Sequence, residues 1–289
     1  MTINILSVGH VCLDILHSVD TLPSPEVKVV SDSAIMQIGG NAANVATALM
    51  RLGAQADLCT VLGNPLDTMT VHLRNMLMSK GIGLGDVAYL ESQTCPISTI
   101  MILPNGDRAI TSFQPKALSH ALHRPENLSK YDMVVGDTNR LCMVRQVLSI
   151  AKSQGIKTML DVDRPLDRLQ DVPQADIVFF SSESWDRMKD NNVDIFEAQS
   201  YLGSVVGVTN GPEQLIWTDS TQVLHHYQPL VVDAVNTLGA GDVFRAGLAM
   251  SVCYGMDLPH AIKQGCDTAA EHIQNKTLTR IIGESHETI

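Results

Sequence analysis

Asn236-Thr237-Leu238-Gly239-Ala240-Gly241-Asp242 is the stretch from which the rest of the chain can be read. A short apolar run precedes it (Leu230, Val231, Val232, Ala234 and Val235) and reads as a strand. From Val243 to Tyr254 the apolar residues Val243, Leu248 and Met250 to Cys253 recur at helical spacing, with small Ala246, Gly247 and Ala249 between them. A glycine-flanked turn that opens a helix leaves main-chain N–H groups without helical partners, at the positive end of the helix dipole. Such a turn binds anions, phosphate above all. The carboxylate of Asp242 is out of place in a pure phosphate cradle. It has a use if it takes a proton from a group that then attacks phosphorus. The alternative is an acid that merely complements the dipole. A cap needs one glycine at most, and here glycines stand at both 239 and 241.

Composition bounds the rest. A chain of 289 residues can bury one large α/β core or two modest domains. With 31 acidic against 20 basic side chains the net charge is −11, which argues against a broad nucleic-acid or anionic-membrane surface. The six cysteines (Cys12, Cys59, Cys95, Cys142, Cys253, Cys266) form no C-x-x-C pair and mostly sit inside apolar runs. They read as reduced core residues rather than a disulfide framework or a zinc site. The N-terminus opens on the strand-like Ile3 to Val8 with no basic-then-apolar leader, and no apolar stretch approaches the roughly 18 residues of a membrane span. The expectation is a soluble, cytoplasmic protein.

Taken in order, Ile3 to Val8 reads as a buried strand, and Asp14 to Val19 and Val27 to Ile38 as half-open strands broken at Pro23 and Pro25. Gly39-Gly40-Asn41-Ala42-Ala43-Asn44 opens a helix with Val45, Ala46, Leu49 and Leu52 on its apolar face, closed by Gly53. Leu58 to Leu62 is a strand and Thr70 to Met78 a helix. Ile97 to Leu103 and Ala109 to Phe113 form a hairpin across Pro104-Asn105-Gly106-Asp107. From Tyr131 onward short strands (Met133 to Gly136, Thr158 to Asp161, Ile177 to Phe180, Val205 to Val208) alternate with helices (Met143 to Ser153, Ser184 to Met188, Ile195 to Leu202). That alternation predicts a parallel sheet covered on both faces, with ligands at the carboxyl ends of its strands. Several strands end there in polar residues: Asp137, Asp161, Ser181 and Thr209-Asn210-Gly211. No G-x-G-x-x-G follows the first strand and no G-x-x-x-x-G-K-[ST] occurs, nor G-x-S-x-G or H-E-x-x-H. The histidines show no metal-ligand spacing, and His225-His226 lies in a strand-like run. Trp185 and Trp217 read as packing residues.

These residues resemble the ribokinase-like (PfkB) carbohydrate kinases. Gly39-Gly40-x-x-x-Asn44-x-Ala46 through Leu52-Gly53 matches that family's first signature, and Thr237-x-Gly239-Ala240-Gly241-Asp242 its second. Gly9 to Asp14, Asn105 to Arg108, Thr209-x-Gly211 and Thr279-Arg280 fall in the expected order. The resemblance implies one ribokinase-like domain over residues 1–289: a three-layer α/β sandwich with a mainly parallel central sheet. A small β-sheet lid would be drawn from about 10–38 and 95–115. It implies transfer of the γ-phosphoryl of ATP, with Mg²⁺, to a hydroxymethyl group of a sugar or nucleoside. Asp242 would be the general base, with the Gly239, Ala240 and Gly241 amides as the anion hole. Asp14, Gly39, Gly40, Asn44 and Arg140 would meet the sugar. Thr209, Gly211 and Thr237 would meet the nucleotide, and Glu183 the metal. Lids of this kind often pair subunits, so a homodimer is expected. The chain departs from the pattern at Asn236 (usually Asp), at Ser181-Ser182-Glu183 in place of N-x-x-E, at Gln214 and at Ile282 (both usually Gly). The serine and Thr-Leu-Gly-Ala-Gly-Asp are similar to the ketohexokinase branch and one acting on sulfonated ketoses. Asn236 implies weak or absent potassium activation. A nucleoside kinase of the same fold, or a catalytically weak relative acting through binding, stays open beside the sugar kinase.

Overall fold

The short apolar runs of the sequence become strands covered on both faces. The computed structural model describes residues 2–233 and 237–274. The chain opens with β1 (Asn4–Val8), β2 (Cys12–Ser18), β3 (Ser33–Gly39), α1 (Asn41–Leu52), β4 (Gln55–Leu62), α2 (Thr68–Ser79) and β5 (Gly83–Tyr89). The hairpin β6 (Ile97–Ile102) and β7 (Arg108–Phe113) and the short α3 (Lys116–His120) follow. Strand–helix alternation then runs through β8 (Met133–Asp137), α4 (Leu141–Ser153), β9 (Lys157–Val162), β10 (Ile177–Ser181), α5 (Ser182–Asp190), α6 (Ile195–Leu202) and β11 (Val205–Thr209). The hairpin β12 (Leu215–Thr218) and β13 (Leu224–Tyr227) and the helices α7 (Ala240–Cys253) and α8 (Leu258–Ile273) complete it.

Nine strands form the large sheet in the order β13-β12-β11-β10-β9-β8-β1-β4-β5. The seven from β11 to β5 run parallel, and β12 and β13 close the edge antiparallel. Successive side chains of a strand face opposite ways, and β10 makes the layering visible. Phe179 stacks edge-on against Phe244 of α7 at 5.3 Å between centroids, while its neighbour Phe180 does the same against Trp185 of α5 at 5.2 Å. One core therefore joins the sheet to α1, α2, α7 and α8, and the other joins it to α4, α5 and α6. This is the expected three-layer α/β sandwich. Among the described residues no helix is long and apolar enough to cross a membrane.

A second sheet of four strands, in the order β3-β2-β6-β7, stands apart from the first. It is antiparallel except for the β2–β6 pair, which runs parallel. Across it Gln37, Asp14, Ser98 and Ser112 form one polar row, and Ile35, Leu16, Ile100 and Ile110 form an apolar row two residues further out on the same face. Helix α7 is buried almost all round from Asp242 to Ser251. A methyl at its Gly247 would sit 2.9 Å from Thr268 Oγ1 and 3.1 Å from Gly265 Cα of α8, so close helix approach requires glycine there.

Two expectations are corrected. The run beginning at Leu230 is not a strand up to Asp233: β13 ends at Tyr227, and Leu230 and Val231 are 68% and 72% exposed. Pro229 cannot donate to a ladder, and β13 already forms the sheet's edge. Val27 to Asp32 also stays out of β3, since Pro23, Pro25 and the left-handed Glu26 (φ 66°) turn the chain there. Asn236, Thr279, Arg280 and Ile282 lie outside the described residues.

Candidate active site

The parallel strands end on one edge, and their registers align Thr209 with Ser181 and Asp161 with Asp137 along it. Two glycine-led helix starts converge above that edge. At α1, Gly40 adopts φ 89°, and a methyl there would lie 2.4 Å from the main-chain oxygen of His10. Gly39 lies against Asp14, whose carboxylate a methyl at 39 would meet at 2.2 Å. At α7, Gly239 takes the left-handed conformation (φ 76°) at the N-cap, so Ala240 and Gly241 are the first helical residues. His272 of α8 ties this turn down, its Nε2 lying 2.8 Å from the main-chain oxygen of Leu238.

The two starts meet at Asp242. Its side chain is buried, and its two oxygens accept hydrogen bonds from Asn44 Nδ2 at 2.9 Å and Asn41 Nδ2 at 3.3 Å. Asn41 is fixed in turn by Asn139 Nδ2 (3.3 Å to its Oδ1), which also donates to Asp163 at 3.0 Å. Beneath Asp242, Arg245 forms an ion pair with buried Asp161. Burial pushes Asp242 up to about 6, with Asp163 adding repulsion, while Arg245 and the two asparagine amides pull it back. Asp137 is raised to about 7, first by burial and then by Asp163, against the main-chain N–H groups of His10 and Asn139. Burial also raises Asp14, opposed by donation from the Cys12 thiol (3.2 Å) and by Ser98.

The structure thus brings Asp242, Gly239, Ala240, Gly241 and Asn44 into one constellation, with Gly39, Gly40 and Asp14 forming a cradle beside the start of α1. Thr237 is exposed and lines a cleft of about 550 Å³ with Leu22, Leu103, Gly106, Asp107 and Arg108. The tip of the β6–β7 hairpin therefore faces the glycine turn. Thr209 ends β11, its hydroxyl donating to the Phe180 carbonyl at 3.3 Å. Gly211 (φ 53°) follows in open space. Arg140 is 2% exposed, not the surface charge an Arg beyond a strand usually is. Glu183 stands exposed in the first turn of α5. Among the described residues no group of three or more His, Cys, Asp or Glu side chains is placed to hold a metal ion. The described residues therefore form no magnesium cage of their own. Asn41, Asp163 and Arg245 went unread in the sequence, although Arg245 lies one helical turn after Asp242 and Asn41 sits inside the Gly-Gly-Asn-Ala stretch.

A parallel α/β sheet with a glycine-led helix start and a buried carboxylate at its carboxyl edge has the parts that a phosphoryl-transferring site uses. The chain belongs to the pfkB family of carbohydrate kinases, whose model matches residues 2–282. It is 26% identical to fructosamine kinase FrlD of Bacillus subtilis (strain 168) over 85% of this chain and 87% of that one. It is 26% identical to a nucleoside kinase of Methanocaldococcus jannaschii over 94% and 91%. The fold matches Arabidopsis thaliana ribokinase complexed with ribose and ATP, with a TM-score of 0.76 at 19% identity, over 95% and 93% of the two chains. The protein is a carbohydrate kinase of ribokinase-like fold.

Proposed function

We infer that the protein transfers the γ-phosphoryl group of ATP to a hydroxymethyl group of a carbohydrate, with Asp242 as general base. The observation that carries this is the state of Asp242: a buried carboxylate held at about 6 in the first turn of α7, both oxygens oriented by asparagine amides. A base in that range is ionised at neutral pH yet basic enough to take a hydroxyl proton as the oxygen attacks phosphorus. The main-chain N–H groups from Gly239 to Gly241 stabilise the charge on the transferring phosphoryl at the helix start, that of Ala240 turning from the Thr237 carbonyl to which it donates at 3.3 Å. Asp14, Gly39, Gly40 and Asn44 hold the sugar, the glycines by close main-chain approach. Thr209, Gly211 and Thr237 meet the nucleotide. Magnesium travels on the ATP phosphates, needs only one or two protein carboxylates, and would take Glu183 as one of them. The smaller sheet serves as the lid, and its outer apolar row, with Ile35 and Ile110 more than half exposed, supports a homodimer through it.

ATP consumption measured against ketoses, pentoses, sugar phosphates and nucleosides tests the reading, with Asp242→Asn as the control. Turnover that survives the substitution would overturn Asp242 as base. A nucleoside acceptor is the second reading, favoured by the archaeal nucleoside kinase relative, and the same panel separates the two.

A further inference from the structure

The glycine turn that opens α7 is held from outside its own helix. The Ala240 N–H donates to the Thr237 carbonyl at 3.3 Å, and Gly239 between them has φ 76° and ψ 6°. Leu238 keeps a negative φ. Together these define a type II turn, whose third residue sits at about +80°, 0°. A type I turn has the same ends but its central peptide is turned over by about half a revolution. Here that peptide joins Leu238 to Gly239. In a trans peptide the C=O and the N–H point opposite ways. Whatever holds the Leu238 carbonyl therefore also aims the Gly239 N–H. His272 holds it, with Nε2 at 2.8 Å. A carbonyl can only accept, so Nε2 carries the proton.

A methyl at Gly239 would approach nothing closer than 3.8 Å, so glycine serves there for its left-handed φ and not for room. Glycine adopts the negative φ of a type I turn as readily. The turn therefore has two arrangements, and the histidine bond favours one of them. Close contact between α7 and α8 puts His272 in place: it follows Thr268, which lies against Gly247, by one helical turn. The ring also stands at the site itself. The atoms nearest that Gly239 methyl would be Asp242 Oδ2 at 3.8 Å, Asn44 Nδ2 at 3.9 Å and His272 Nε2 at 4.0 Å. We propose that His272 is a positioning residue for phosphoryl transfer. Its Nε2–H clamps the Leu238 carbonyl and so keeps the Gly239 N–H turned toward the transferring phosphoryl. This rests on the reading of the Gly239 to Gly241 amides as the anion hole.

The test is steady-state kinetics on the intact enzyme, with the acceptor it phosphorylates best. His272→Ala should lower kcat by roughly 3- to 10-fold, the bias that one hydrogen bond gives a two-state turn, with KM for the sugar within about twofold. His272→Gln keeps an N–H donor and should retain most of the rate. Added imidazole should restore part of the loss in His272→Ala. Neutral 1-methylimidazole fills the same gap without an N–H and should not. Gly239→Ala turns the peptide the other way, because an L side chain disfavours φ 76°. Loss of one anion-hole donor then costs about 10²–10³ in kcat. With the peptide already turned, the histidine bond is gone, so adding His272→Ala should cost less than about twofold more. Unchanged kcat in His272→Ala, equal rescue by the two imidazoles, or losses that multiply in the double variant would overturn the clamp. If His272→Ala fails to fold, as judged by melting, His272→Met against His272→Gln decides by the same kcat ratio. Crystal structures of wild type and His272→Ala separate this claim from the kinase reading. A Leu238 carbonyl flipped in the variant, with no acceptor phosphorylated by wild type, would sustain the clamp and sink the kinase reading. Phosphorylation that His272→Ala leaves untouched would do the reverse.

Discussion

Asn44 and Asp242 lie 198 residues apart in the chain and 2.9 Å apart in the fold, the amide of one donating to the carboxylate of the other. The bond joins the first turn of α1 to the first turn of α7, so one contact couples the sugar cradle to the proposed base. Asn41 repeats it a turn earlier at 3.3 Å.

Asp242→Asn should abolish activity and stabilise the protein. General-base contributions run to about 10²–10⁴ in rate, so kcat should fall at least by the lower figure. A carboxyl raised from 3.8 to about 6 in the folded state binds its proton more tightly there than in the unfolded chain. Its ionisation therefore weakens folding as pH rises from about 4 to 6, and the penalty is complete above that. At about 1.4 kcal/mol per tenfold it amounts to about 3 kcal/mol at neutral pH. The asparagine variant should melt higher than wild type at pH 7.5, with the gain gone at pH 3.5. A variant that keeps more than about a tenth of the rate would rule out the base.

Asn44→Ala should move the acid limb of the pH–kcat profile. Wild-type kcat should fall as pH drops through about 6, where the base takes up its proton. The Asn44 amide favours the ionised form, so removing it should push the limb to higher pH. At pH 8.5, where the base is ionised in both proteins, most of the rate should return. A pH-independent loss would mean that Asn44 serves the sugar and not the base.

Most of the sheet was legible because buried parallel strands are continuous apolar runs, and Ile195 to Leu202 and the Gly53 stop of α1 stand where the pattern put them. Helix α8 escaped because it packs through small residues. Of its buried residues Ala261, Ile262, Gly265, Cys266 and Thr268, Ile262 alone is large and apolar, so no apolar stripe marks it, although Asp257 caps it and proline opens it. Edge strand β5 carries two glycines and an aspartate and is only half-buried. At the site, both glycine turns were visible as local chemistry. That Asn41 would face Asp242 was not, because spacing along a chain carries no information on contacts 201 residues apart. The ion pair of Arg245 with Asp161 was hidden for the same reason.

Gly39→Ala should act on the acceptor alone. The new methyl would fall 2.2 Å from the Asp14 carboxylate, forcing that side chain out of the cradle. KM for the sugar should rise by about tenfold or more, the scale of a lost charged hydrogen bond, while KM for ATP stays within about twofold. Gly40→Val is the harsher change, because it meets the main chain of His10 at a left-handed φ and should cost fold stability as well. Equal shifts in both KM values for Gly39→Ala would place Asp14 outside the sugar site.

Arg245 has two effects that substitution can separate. It neutralises Asp161, which is 2% exposed, and its charge favours ionisation of Asp242. Arg245→Met leaves a buried carboxylate without its cation, which typically costs about 3–5 kcal/mol. Replacing both partners, Arg245→Met with Asp161→Leu, removes the uncompensated charge, and most of that loss should return. The field on Asp242 follows the same pattern. In the single variant Asp163 and Asp161 repel the carboxylate with no guanidinium to offset them, so the acid limb should rise above its wild-type position, and it should fall part of the way back in the double variant, where the Asp161 charge is gone as well. Thermal melts and pH–kcat profiles on the single and double variants measure the two effects independently. A double variant as unstable as the single would mean that Arg245 acts through packing, and an unmoved limb would mean that its charge does not reach the base.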